Sequence, residues 1–171
     1  KNITIKGAEG ADTICGSDLA RLFYVTAGNT LNLVDLTICD GAAEKGAGVY
    51  VEANGVLNAL NVDFHDNVAV KRGGAIYSEG MVYVRDSNIH DNDVTFRTAN
   101  DDNGGAAIYN MKGTLYIDNT NITNNLKDIV IRNGNAGDLL DGVVVTSGET
   151  RIRDSYFANN TGSWGGAISS L

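Results

Sequence analysis

Proline is absent from the 171 residues, histidine, cysteine and methionine occur twice each, and tryptophan occurs once. No apolar run approaches the ~18 residues of a membrane span, so direct membrane insertion of this stretch is not expected. Two histidines and two cysteines leave few ligands for a zinc centre. Lys and Arg number 13 against 21 Asp and Glu, giving a net charge of −8. That balance argues against a nucleic-acid backbone as partner and against unaided docking on anionic lipid. No G-x-G-x-x-G or Gly-Lys-Ser/Thr context is present to cradle a phosphate, and no D-x-D-x-D-G loop of the EF-hand kind. A stripe of helical period is also missing. What remains is frequent glycine, with apolar residues in short alternating runs.

Two motifs return along the chain. F-x-x-N or its Ile variant stands at 64–67, 89–92, 122–125 and 157–160, and GGAI or a close relative at 46–49, 73–76, 105–108 and 165–168. Such self-similarity is the mark of a solenoid. A turn glycine precedes each Phe or Ile by nine residues, at Gly55, Gly80, Gly113 and Gly148. The second and fourth residues after that glycine are Leu57 and Ala59, Val82 and Val84, Leu115 and Ile117, Thr150 and Ile152, the alternation of a strand. The seventh is Val62, Ser87, Thr120 or Ser155, so parity slips by one. A slip predicts a bend near Asn61, Asp86, Asn119 and Asp154, residues whose side chains relieve corners.

Each repeat therefore reads as a strand, a corner, a short second strand, an Asn, a loop, the GGAI strand and a Gly turn. The architecture that satisfies this order is a right-handed parallel β-helix, three short strands per coil and roughly six coils, with like residues stacked in ladders. A single domain is expected over 1–171, with degenerate coils in 1–45 and regular ones in 46–171. The chain opens on Lys1 without Met or signal peptide and stops in mid-repeat, as expected of a piece of a longer protein or of a mature chain with unfinished ends.

TIC at 13–15 recurs at 37–39, which places Cys15 on Cys39 in the neighbouring coil, close enough for a disulfide. The alternative is two half-buried free thiols. Asn67, Asn92, Asn125 and Asn160 form an expected structural ladder passing amide hydrogen bonds from coil to coil.

The repeats differ between the Asn and the GGAI strand. The connections are short at 42–45, 68–72 and 161–164, and long at 93–104 and 126–141. Insertions at one point of successive coils emerge on one face of a solenoid, often the binding face. Candidate contact residues are Thr95, Phe96, Arg97, Asn100, Asp101 and Asp102 in the first, and Lys127, Arg132, Asn133 and Asn135 in the second. Either 143–145 or 129–131 supplies the GGAI-like strand there, and Asn133–Gly134 suits a hairpin turn. Asp91, Asp93, Asp101 and Asp102 offer oxygen ligands for calcium, against the plainer reading of a solvated loop. His65-Asp66 and His90-Asp91, with Arg85-Asp86 and Arg153-Asp154, resemble parts of a polysaccharide-cleaving site, yet they recur because the repeat recurs, and outward turn residues are the plainer reading. Sequons begin at Asn2, Asn121 and Asn159.

Alternating GGA[ILV] and F-x-x-N from about Thr37 to Ile168 resembles the polymorphic membrane protein repeats of bacterial autotransporters and related adhesin-like surface proteins. The resemblance implies a secreted or surface-anchored β-helix engaged in adhesion or envelope building, and brings no catalytic residues. The expectation is an extracellular, non-enzymatic module without cofactor, its partner a protein or glycan of a host or neighbouring cell, or copies of itself. The alternatives are a subunit that self-assembles head to tail, and a polysaccharide-active or carbohydrate-binding β-helix.

Overall fold

A computed structural model describes residues 1–8, 12–95, 104–125 and 149–160, with the backbone of Ile131–Arg132, Val145–Thr146 and Ser169–Ser170. The described residues form strands and connections without a helix, in three sheets. Every described strand pairing is parallel. Parallel neighbours separated by a whole repeat make a solenoid of curled sheets.

The register follows the turn glycines. Leu57 pairs with Val82, Val82 with Leu115, and Leu115 with Thr150. These side chains face inward with Ala59, Val84 and Ile117, and all but the half-buried Thr150 are buried. The parity slip is seated where the sequence places it: Asp35, Asn61, Asp86, Asn119 and Asp154 all have φ between 44° and 54°. Asn and Asp enter this left-handed region more readily than other side-chain-bearing residues. Past the corner, Val62 and Phe64 turn inward again. The kink does not end the sheet, and Val56–His65 is one strand running through it.

The connections expected at 42–45 and 68–72 are strands. Ala42–Lys45, Val68–Arg72 and Asp93–Val94 form the third sheet. Ala69 of this sheet is buried against Ala47 and Val94, a contact too short in sequence to show as periodicity. The coil therefore has three sheets because the two segments around the first corner join in one and the presumed loop supplies another. Asp40, Asp66, Asp91, Asn124 and Asn159 form a second left-handed corner before this sheet. Gly46, Gly73 and Gly105, with φ of 57°, 65° and 69°, form the third.

Ladders fill the interior. Ile14, Ile38 and Phe64 share one row, continued by Ile89, Ile122 and Phe157. Each buried aromatic or aliphatic side chain contributes about 1.5–3 kcal/mol. The row beside it brings Cys15 onto Cys39, and a disulfide joins them with Cα atoms 4.5 Å apart.

Candidate binding face

The buried asparagines that follow each Phe or Ile are hydrogen-bonded by their own copies. Asn67, Asn92 and Asn125 are fully buried. The Nδ2 group of Asn67 donates to Oδ1 of Asn92 at 3.0 Å, Asn92 to Asn125 at 3.0 Å, and Asn125 to Asn160 at 3.3 Å. The same Nδ2 of Asn92 donates to the Phe64 and His90 carbonyls, while its Oδ1 accepts from the Asn67 backbone N–H. A second ladder caps the first corner: Ser87 Oγ donates to the Arg85 carbonyl and accepts from the Val62 N–H, and Ser155 stands likewise toward Arg153 and Thr120. These groups are engaged in holding coil on coil, and a ligand has to be sought outside.

One outer ladder is aromatic. Tyr24, Tyr50, Tyr77 and Tyr109 stack with ring centroids 4.8, 4.8 and 5.4 Å apart. Arg21 lies over Tyr24 and Tyr50, Lys45 over Tyr77, and Arg72 over Tyr109. Tyr24 donates to Glu52 at 2.7 Å, and Tyr50 and Tyr77 donate to Glu79 at 3.2 and 2.9 Å. Burial beside Glu79 pushes the Tyr50 hydroxyl up to about 12 and raises that of Tyr77 further. The hydrogen bond from Tyr24 holds the Glu52 carboxyl below its usual range. Tyr77 and Tyr109 are fully covered, so this ladder is closed to a ligand over the half that they form.

A second outer ladder is open. The third and fifth residues after each turn glycine face away from the interior in two parallel rows: Asn58, Tyr83, Tyr116 and Arg151, and beside them Leu60, Arg85, Asp118 and Arg153. Between them runs a groove of about 500 Å³. Tyr83 and Tyr116 stack at 4.8 Å, nearly coplanar in orientation, and Arg151 lies over the far face of Tyr116. The ring faces are thus turned along the solenoid axis, and their edges and hydroxyls are presented outward. Arg153 pairs with Asp118 at 3.2 Å while remaining 74% exposed, and Arg151 pairs with Glu149. Arg85 is exposed and makes no side-chain hydrogen bond or ion pair among the described residues.

The residues singled out in the insertions are placed as follows. Thr95 is exposed, and its N–H donates to the Ala69 carbonyl at 2.9 Å. Asp93 and Val94 pair with Val68 and Ala69, and Gly104 bridges Arg72, so the third-sheet strand reaches into both ends of the first insertion. Phe96, Arg97, Asn100, Asp101, Asp102, Lys127, Asn133 and Asn135 lie outside the described residues, as does the Asn133–Gly134 turn. Of the two segments competing for the GGAI-like rung, both pair with Ile108–Asn110: Ile131 and Arg132 with Ile108 and Tyr109, Thr146 with Asn110. The second insertion therefore divides a rung of the second sheet, whereas the first interrupts a strand of the third.

Asp91 takes the second corner and accepts from His90 Nδ1 at 2.6 Å, as Asp66 does from His65 at 2.7 Å. The two imidazoles stack at 5.2 Å, and His90 Nε2 lies 3.0 Å from Asp63. Asp86 is a first-corner residue that accepts from Asn119. Of the four acids weighed for calcium, Asp101 and Asp102 lie outside the described residues, and Asp93 bonds its neighbour's N–H.

The Chlamydia polymorphic membrane protein repeat matches residues 61–79 and 154–171. The chain is 33% identical over 140 residues to the probable autotransporter YfaL of Escherichia coli (strain K12), a stretch covering 75% of this chain and 11% of that protein. The chain thus spans about a tenth of the length of this relative. No solved structure matches it significantly. With its alternating motifs and parallel stacked coils, the chain carries two copies of the polymorphic membrane protein repeat and is similar over three quarters of its length to an autotransporter.

Proposed function

We propose that this chain is an adhesin-like, extracellular module of a cell-surface protein: a rigid β-solenoid that holds an outer face, with its two insertions, toward a partner on another cell. The coil is right-handed with roughly six turns, as the repeats lead one to expect. The observation that carries the reading is the pairing of surface-protein repeats with an interior whose asparagine ladder is taken up by coil-to-coil bonding. Such a framework transmits position and leaves recognition to what stands outside it. A disulfide between the first coils suits an oxidising compartment. Binding, in preference to cleavage, suits the groove, where Asp118 is the one carboxylate among the lining residues and is held by Arg153.

The test is saturable binding of the purified, oxidised chain to intact cells, with the chain reduced and unfolded as control. Specific, saturable attachment that is lost on unfolding is the expected result. Attachment no greater than that of the unfolded chain on every cell type tried overturns the reading.

A further inference from the structure

The groove between the two open rows has a charge unlike that of the molecule. The chain carries a net −8, yet the groove is lined by three arginines and one carboxylate. Arg85 makes no ion pair among the described residues, Arg153 is 74% exposed beside its partner, and the Tyr116 hydroxyl has no hydrogen-bond partner among them. These donors lie in the two open rows, Arg85 and Arg153 in one and Tyr116 in the other.

Three features decide what such a line takes. The strand Met81–Arg85 is paired on both sides, by Val56–His65 and Thr114–Asp118, so no free backbone edge exists here for an extended peptide to join. Tyr83 and Tyr116 are stacked on each other, so their faces cannot serve as a platform and their hydroxyls act as hydrogen-bonding groups. Arg85 and Arg153 stand two strand spacings apart in one row with Asp118 on the rung between them, a separation of roughly 10 Å along the axis that suits a linear polymer with anionic groups repeated along it. Guanidinium groups bind carboxylate and sulfate in a planar, two-pronged manner that lysine does not reproduce.

We infer that the groove along Tyr83, Arg85, Tyr116, Arg151 and Arg153 is a binding site for an acidic polysaccharide, one bearing carboxylates or sulfates. The site rests on the adhesin reading and names the chemistry of the partner. Arg85 and Arg153 engage the anionic groups, Tyr116 donates to a ring hydroxyl or acid oxygen, and Asp118 holds Arg153 from the neighbouring rung of the same row.

The oxidised chain is titrated with heparin, polygalacturonate, dextran and polyglutamate. The comparison uses the double variant Arg85→Gln/Arg153→Gln and a charge-matched control outside the two rows, Lys71→Gln/Lys112→Gln. Both pairs are exposed, and thermal unfolding checks that the fold is kept. Binding of heparin or polygalacturonate without dextran, weakened roughly tenfold or more in the groove variant and unchanged in the control, is expected. Equal weakening in the two variants, equal binding of dextran, or no binding of either acidic glycan overturns the site. Polyglutamate binding as tightly, with the same sensitivity to the groove variant, overturns the glycan in favour of an acidic protein. Cell attachment is followed in parallel. A groove variant that attaches as well as the parent overturns the groove as the adhesive site while the adhesin reading stands. Glycan binding by a parent that attaches to no cell supports the groove and overturns the adhesin reading.

Discussion

Asn92 concentrates what a single residue does in this solenoid. Its side chain satisfies the Phe64 and His90 carbonyls and the Asn67 N–H, and it donates nothing to water. Asn92→Ala leaves several buried groups unpaired, at about 1–3 kcal/mol for each, and is expected to cost roughly 3–5 kcal/mol in chemical denaturation. Asn160→Ala, at a half-buried position, is expected to cost less than Asn92→Ala; equal losses would show that burial does not set the value. Tyr50 gives a pH dependence. Its folded hydroxyl is raised from 10.0 to about 12, so the neutral form is favoured by folding. That contribution is complete below pH 10 and is lost as pH rises through the folded value. The melting temperature should therefore fall between pH 10 and pH 12, and the fall should be smaller in Tyr50→Phe. A parent and variant that fall together would remove the ladder from the account.

At the scale of the strand and the corner, the first bend was legible and the third sheet was not. The slip of parity between Ala59 and Val62 forces a residue out of extended backbone, and only Asn or Asp stands there in every copy. Asp86→Asn is expected to be tolerated and Asp86→Val to cost about 1–2 kcal/mol, measured by denaturant titration. Equal stability of the two variants would remove the left-handed corner as the reason for the residue. Val68–Arg72 escaped because a strand with one buried side chain, Ala69, leaves no alternation to read. The open rows escaped for another reason. Residues two and four after the turn glycine reveal the core, and the outward residues three and five vary too much to announce a ladder. Tyr83 and Tyr116 at the third place, with Arg85 and Arg153 at the fifth, are the signal that was available. The Tyr50, Tyr77 and Tyr109 stack had a clearer one, the tyrosine that closes GAGVY, GGAIY and GAAIY.

For the molecule as a whole, the disulfide fastens the first two coils to each other within the degenerate stretch. It closes a separation of 24 residues, and its reduction is expected to lower stability by about 3 kcal/mol through freedom returned to the unfolded chain. Denaturation midpoints with and without reductant check this, and identical midpoints would contradict it. The central claim is that this framework is displayed outside the cell. The direct measurement is brief trypsin treatment of intact source cells, followed by identification of the released peptides. Cleavage at Arg97, Lys127 and Arg132 before any cytoplasmic marker appears is the predicted result. Peptides of this chain that appear only after the cells are broken would contradict it.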